Sequence, residues 1–195
     1  MPKLGMEPIR RSALIKATIA EIGHVGTLEV TVSRIAKRAG MSSALAHHYF
    51  GSKEAIFLAA MRHVMTLYGA EVRGALAAAD GPEGRALAVI RASFSPGSFR
   101  REVISAWLNF YVLAQTQPQA RRLLAVYQRR MVSNLRHALR PLLGARAHQV
   151  ARSIAAMIDG AYLHAVLGLE VPDGAEAARQ VEDYLALALK KGPQA

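Results

Sequence analysis

The chain has 195 residues, of which 52% are hydrophobic, and its formal net charge at pH 7 is +11. This apolar content excludes a disordered chain and indicates a globular protein with a real core. The absence of cysteine excludes disulfides, thiolate metal sites and cysteine nucleophiles, and the excess of Lys and Arg favours a polyanionic partner.

The composition also points to a compartment. Residues 1–11 are too polar for a signal peptide, and no uninterrupted apolar run approaches the length that spans a bilayer. Lack of cysteine fits a reducing environment. We therefore expect a cytoplasmic protein with no membrane association.

The first quarter of the chain predicts three short helices. Apolar residues in 9–25 recur at helical spacing, and Gly26 ends that helix. An alternating stretch, 27–32, has no second strand to pair with and is interpreted as a loop. Thr31 then caps a second helix, Gly40 provides a positive φ at the turn, and Ser42 caps a third helix that ends before Gly51.

The rest of the chain predicts helices only, about nine in all with the first three, so the fold class is all-α. The breaks contain Pro and Gly and leave helices at 53–79, 82–94, 100–115, 119–139, 145–167 and 174–189. We divide the chain into a helix-turn-helix DNA-binding domain, 1–53, and a helical ligand-binding and dimerisation domain, 54–195.

The third helix has properties that suit a DNA groove. Small residues permit close approach to the major groove, and hydroxyl or imidazole groups can reach base edges. We expect Ser43, Ala44, His47 and His48 to read bases, beside the capping Ser42. Phosphate contacts are expected from Thr31, Tyr49 and Lys53, of which Lys53 begins the next helix. The same spacing also fits a helical hairpin whose two helices pack against the rest of the chain and have no role in DNA binding.

These residues resemble the helix-turn-helix of the TetR family of bacterial repressors. The resemblance rests on Ala36 before Gly40, on Ser42, on the HHYF run at 47–50 and on Lys53, and it extends upstream to 14–18 and Gly26. It implies an operator-binding homodimer that pairs through the last two helices, at about 145–189. Ala44 and His47 depart from the family pattern, which bears on the operator sequence.

One carboxylate in the second half of the chain stands alone. No acidic residue lies between Glu102 and Asp159, and Asp159 sits in the apolar run 154–167. A buried carboxylate needs a partner. An arginine would satisfy it, and the candidates are Arg121, Arg122, Arg129, Arg130, Arg136, Arg140, Arg146 and Arg152.

Aromatic residues offer the alternative partner, a bound cation. The chain has one tryptophan and six tyrosines, and five aromatics fall on three of the predicted helices near Asp159: Trp107, Phe110, Tyr111, Tyr127 and Tyr162. Aromatic faces with one carboxylate suit a quaternary ammonium ion. An ordinary core cluster is the competing interpretation for Trp107 and Phe110.

A narrower resemblance favours the cation. The opening residues 1–11, the HYF at 48–50, the AWLNFY run at 106–111 and the IDG at 158–160 are similar to a choline-responsive branch of the TetR family. This implies a repressor of glycine-betaine synthesis genes that choline releases from DNA. Tyr162 stands where tryptophan is expected, so another effector remains open.

Catalysis is the remote alternative, as a small helical enzyme acting on an amine. The seven histidines lack metal-ligand spacing, and the chain has no phosphate loop or nucleophile elbow. We expect no cofactor, no metal and no enzymatic activity. A helical scaffold without DNA binding is equally remote.

Overall fold

The computed structural model describes residues 5–168, 171 and 173–190. This part of the chain is all-helical and has no strand, which confirms the predicted fold class. It contains nine α-helices: α1 (Met6–Val25), α2 (Val32–Arg38), α3 (Ser43–Phe50), α4 (Lys53–Ala77), α5 (Gly81–Ser93), α6 (Arg101–Thr116), α7 (Pro118–Leu143), α8 (Ala147–Leu167) and α9 (Gly174–Lys190). A 3-10 turn, Gly144–Arg146, joins α7 to α8.

The turns of the N-terminal head follow the predicted chemistry. Thr31 caps α2 by accepting a hydrogen bond from the Arg34 amide at 3.2 Å. Ser42 caps α3 in the same way through the Leu45 amide, also at 3.2 Å. Between them the chain reverses at Gly40, whose φ of 69° strains residues with a side chain. Local sequence therefore sets the helix-turn-helix.

The head has its own apolar core, but later helices contribute to it. Leu14, Ile35 and Ala46 from α1, α2 and α3 are buried together. Ile56 at the start of α4 and Ala106 of α6 belong to the same cluster. The proposed division after residue 53 thus falls at the first residue of a helix that serves both parts. Residues 1–4 and 191–195 of the two proposed domains lie outside the described residues.

The larger core lies among α4 to α9. It includes Val89, Ile104, Leu135 and Ile154, all fully buried. The predicted break at Pro141 is wrong, because α7 continues through it to Leu143. A proline near the end of a helix removes one N–H donor, while its fixed φ suits the helix.

One stretch of the chain is more apolar than expected from the sequence, which has no uninterrupted apolar run long enough to span a bilayer. A window within Pro118–Leu167 is long and apolar enough by composition to cross a membrane, although isolated charges interrupt it. Only 28% of that window is buried within the chain. A helix that packs against further helices has the same composition, and α8 already packs against α6, α7 and α9.

Helix α6 lies between the head and the body. Asn109 donates from Nδ2 to the Gly26 carbonyl at 3.0 Å and so ties α6 to the end of α1. Gly23 of α1 lies against the Glu102 backbone so closely that a Cβ there would be 2.5 Å from the Glu102 Cα. On the body side, α6 buries Trp107 and Phe110.

Candidate nucleic-acid interface and effector site

The predicted DNA-contacting residues lie on and around α3. Five of them are exposed and free to meet a groove or a phosphate: Thr31, Ser42, Ala44, His47 and His48. Ser43, Tyr49 and Lys53 are half-buried. Together they present small, hydroxyl, imidazole and ammonium groups, the chemistry that base edges and phosphates require.

Contacts within the head involve the side chain of Ser43 and the backbone at the end of α3. The Ser43 hydroxyl lies 2.7 Å from the hydroxyl of Ser33, which joins the first turns of α2 and α3. Arg11 donates to the Tyr49 carbonyl, and its guanidinium lies 4.3 Å from the Phe50 ring centroid. Sequence reasoning missed Ser33, although a serine near the start of α2 is a signal of exposure.

A buried carboxylate holds α2 in place. Glu21 of α1 is 5% exposed and forms ion pairs with Arg38 and Arg34 of α2. The hydrogen bond from Arg38 holds the pKa of Glu21 below its usual value. This clamp was not predicted from the sequence. An acidic residue on the apolar face of α1 was the available signal.

Lys53 lies at the first residue of α4, the position predicted for a phosphate contact. Ser52 caps this helix by accepting from the Ala55 amide at 3.1 Å. The Lys53 ammonium lies 5.4 Å from the Phe57 ring centroid. An anion at this helix end would meet both the ammonium and the free amides of the first turn.

The predicted aromatic cluster forms in the body around Trp107. The Trp107 ring lies 4.4 Å from that of Tyr127 and 6.1 Å from that of Tyr111, centroid to centroid. Phe110 is at 6.4 Å with its edge toward Trp107. Trp107 and Phe110 are buried, whereas Tyr111 and Tyr127 are partly exposed.

Asp159 lies at the end of this cluster. The Tyr111 hydroxyl donates to its Oδ1 at 2.8 Å, and none of the ion pairs in the described part of the chain includes Asp159. Burial raises the pKa of this carboxyl, and the Tyr111 hydrogen bond offsets part of the increase. The structure therefore does not show the arginine partner that the sequence allowed.

Tyr162 occupies a neighbouring part of the body. Its hydroxyl donates to the Ser93 carbonyl, and its ring lies 5.1 Å from Phe99 and 6.2 Å from Phe94. Its hydrogen bond and ring contacts are thus with α5 and the segment that follows. No ring contact joins it to Trp107 among the described residues.

Tyr68 of α4 is a cluster member that sequence reasoning missed. Its ring lies 5.4 Å from that of Tyr127, and its hydroxyl lies 3.1 Å from the Ser93 hydroxyl. Burial raises the pKa of Tyr68 to about 12, so the phenol is neutral at physiological pH. In the sequence, Tyr68 belongs to an ordinary apolar helical stripe and carries no separate signal.

The last two helices carry apolar surface that the chain itself does not cover. Ile154 and Ile158 of α8, with Leu185 of α9, are buried in the chain's own core. Leu163 and Leu187, in contrast, are 46% and 61% exposed. A groove of about 800 Å³ also runs between α8 and α9.

A small helix-turn-helix head on a helical body with an internal aromatic cluster defines a class, the DNA-binding transcriptional regulators with a built-in sensor domain. Residues 14–60 match the bacterial regulatory proteins of the tetR family, and residues 82–190 match the C-terminal domain of BetI-type transcriptional repressors. The chain belongs to the TetR family and carries a BetI-type C-terminal domain.

Individual relatives agree over the whole length. The HTH-type transcriptional regulator BetI of Brucella suis is 49% identical, with 100% of this chain and 99% of that protein covered. BetI of Agrobacterium fabrum is 44% identical over 99% of this chain and 94% of its own. The relatives are named as regulators, not enzymes, which confirms the expected class of function.

Two solved structures share the fold. A transcriptional regulator from Pseudomonas aeruginosa PAO1 has a TM-score of 0.80 at 24% identity, covering 96% of this chain and 93% of its own. A regulator from Saccharomonospora viridis, solved in complex with choline, has a TM-score of 0.77 at 21% identity and covers 90% and 95%. As a member of this family, the chain is a dimeric, operator-binding transcriptional repressor that responds to a small molecule.

Proposed function

We propose that this repressor is released from DNA by choline and controls glycine-betaine synthesis genes. The observation that carries the proposal is Asp159, a partly buried carboxylate that has no ion-pair partner among the described residues and ends an aromatic cluster. A buried negative charge without a counter-charge is costly. Arg129, Arg136 and Arg152 line the same pocket as Asp159 but form no ion pair with it. A cationic ligand would supply the missing ion-pair partner.

The surrounding groups favour a quaternary ammonium ion over a primary amine. A quaternary nitrogen has no N–H to donate, so it needs π faces and a nearby charge more than it needs acceptors. Trp107, Tyr111 and Tyr127 provide the faces, and Tyr111 already occupies one oxygen of Asp159. Phe110 and Tyr162 complete the apolar surroundings in this proposal.

The comparisons support the same ligand class. A regulator of the same fold binds choline, and BetI proteins are the full-length relatives at 44% to 49% identity. A TetR-family repressor that senses a different small molecule is the second candidate. Tyr162 favours it, because the sequence resemblance leads us to expect tryptophan at this position.

The position of α6 explains how ligand binding would release the repressor from DNA. The rings of Trp107 and Tyr127 are in contact, so a trimethylammonium group must separate them. A movement of α6 is transmitted to the head, because Ala106 and Asn109 of α6 contact the head. A ligand that prefers one head spacing shifts the population toward that spacing.

On the DNA side, we infer that Ser43, Ala44, His47 and His48 influence which bases are read. Ser42 positions this helix through its cap. Phosphates are held by Thr31, Tyr49 and Lys53. The two heads of a homodimer, paired through about 145–189, meet successive major grooves of a near-palindromic operator. The protein works in the cytoplasm, with 1–53 as the DNA-binding domain and 54–195 as the sensor.

The test is a calorimetric titration with choline, glycine betaine and ethanolamine, with and without operator DNA. We expect choline to bind most tightly, and operator DNA to weaken that binding by the factor by which choline weakens DNA binding. Trp107 is the only tryptophan of the chain, so its fluorescence reports on the site directly. Equal affinity for choline and ethanolamine would contradict the aromatic site.

A further inference from the structure

A cavity of about 840 Å³ lies between the head and the body. Its walls are α1 on the head side, with Ile19 and Ala20, and α4 and α6 on the body side, with Val64 and Val103. The walls are therefore mostly apolar. Four charged residues line it, two acidic and two basic: Glu71, Glu102, Lys16 and Arg100. Tyr68 of α4, three residues before Glu71 in the sequence, also belongs to the lining.

Glu71 offers a negative charge in this cavity. Its Oε2 accepts a hydrogen bond from the Ser98 hydroxyl at 3.0 Å, and no ion pair involves Glu71 in the described part of the chain. His63, on the same helix, adds little positive charge at neutral pH, because burial and nearby Lys16 lower its pKa. Arg100, also in the lining, donates from Nε to the Gly97 carbonyl.

Tyr68 connects this cavity to the proposed effector site. It lines the cavity, and its ring lies 5.4 Å from that of Tyr127, which in turn lies 4.4 Å from that of Trp107. Three neighbouring aromatic rings, those of Tyr68, Tyr127 and Trp107, thus extend from the cavity to the aromatic cluster. Asp159 lies at the far end of that cluster. A cation can move along such a row of rings from one π face to the next.

A second concave surface, which Asp159 itself lines, is more basic than this cavity. A pocket of about 660 Å³ between α7 and α8 includes Asp159 in its lining. Arg129, Arg136, Arg152 and His148 also line it, and Asp159 is the only acidic residue among the described residues of its lining. Like charges raise the barrier for a cation that approaches from this side.

We propose that the cavity between α1, α4 and α6 is the access site for the cationic effector, with Glu71 as the carboxylate that first docks it. This inference rests on the proposed function. The cation then passes Tyr68 and Tyr127 to reach Asp159. Because α1 forms one wall, the incoming ligand contacts the DNA-binding head before it reaches its final site.

An access residue has a kinetic signature that a binding residue lacks. Glu71 stabilises the approach more than the bound state, so its loss slows association and dissociation together. We expect Glu71→Gln to lower the association rate constant for choline about three- to tenfold at low salt, with a smaller effect at high salt. The Kd should change less than about twofold.

The measurement is stopped-flow fluorescence of Trp107 in the full-length dimer at several salt concentrations. Glu71→Gln keeps an acceptor for Ser98, and Glu71→Asp keeps the charge and should restore fast association. Glu83→Gln is the matched control, since it makes the same replacement at an exposed position on α5, outside the proposed dimer surface. Melting curves of each variant report whether the fold is retained.

The outcomes separate this inference from the proposed function. If wild-type protein shows no fluorescence change and no heat with choline, the proposed function fails. If choline binds and Glu71→Gln associates as fast as Glu83→Gln, the access site is wrong. A higher Kd at an unchanged association rate also overturns it. If Arg136→Gln speeds association severalfold while Glu71→Gln does not, the cation uses the basic pocket instead.

Discussion

Replacing Asp159 by asparagine tests the effector site most directly. The side chain keeps its size, and its amide oxygen can still accept the hydrogen bond that Tyr111 now donates at 2.8 Å. What disappears is the negative charge. The change therefore separates the proposed electrostatic role from packing.

The size of the effect follows from the surroundings of the carboxylate. Two unit charges about 5 Å apart attract by roughly 3 kcal/mol at an effective dielectric constant of about 20. Loss of hydration opposes part of this attraction. We therefore expect choline binding to weaken by about 2 kcal/mol, or roughly 30-fold in Kd.

The stability of the fold without choline should not fall in Asp159→Asn, in contrast to the choline affinity. Burial raises the pKa of Asp159 above its ordinary value of 3.8, so ionisation of this group costs folding free energy. That cost appears as the pH rises from 3.8 through the raised folded pKa, and it is complete above the folded pKa. An uncharged asparagine avoids it, and we expect Tm without choline to stay unchanged or to rise by up to about 3 °C.

The assay is calorimetric titration of choline with parallel thermal melts of Asp159→Asn, wild type and Glu83→Gln. The control also removes one carboxylate charge, from an exposed position on α5, and its choline affinity should stay within about twofold of wild type. Unchanged choline affinity in Asp159→Asn would refute the site. A large drop in Tm with unchanged affinity would return Asp159 to a purely structural role.

Three further predictions test other parts of the molecule. Choline affinity should fall as the pH is lowered through the raised pKa of Asp159, because the protonated acid has no charge; a profile measured by calorimetry should be flatter in Asp159→Asn. Lys53→Ala should weaken operator binding and reduce the slope of log K against log salt by about 1; equal affinity at every salt concentration would exclude a phosphate contact. Gly23→Ala places a Cβ 2.5 Å from the Glu102 Cα, and we expect it to cost about 1–3 kcal/mol of stability in denaturant unfolding. Gly84→Ala is its control, since a Cβ at that helical position meets nothing within 4 Å and should stabilise by about 0.5–1 kcal/mol; similar losses in both variants would contradict close packing of α1 on α6.

The head was predictable because its signals are local. Thr31, Gly40 and Ser42 act on amides or backbone angles within three residues of themselves, so the sequence contains the whole interaction. The same holds for most helix boundaries. The exception, Pro141, shows that a proline near a helix end is a weak stop.

The partners of charged groups depended on the tertiary structure. Glu21 meets Arg38 across 17 residues of sequence, and Tyr111 meets Asp159 across 48. Spacing along the chain says nothing about such pairs, because helix packing decides which side chains meet. Eight arginines were therefore possible partners for Asp159 in the sequence, and the fold gave it a tyrosine.

By itself, the sequence determined the all-helical class, the helix-turn-helix and the set of aromatic residues near one lone carboxylate, because each depends on residue type and short-range spacing. Only the tertiary structure decided that Tyr68 joins the cluster, that Tyr162 turns toward α5, and that Glu71 lines a cavity against the head. These facts depend on which faces of distant helices bury one another. A single chain's periodicity cannot specify that choice, since many pairings bury the same apolar area.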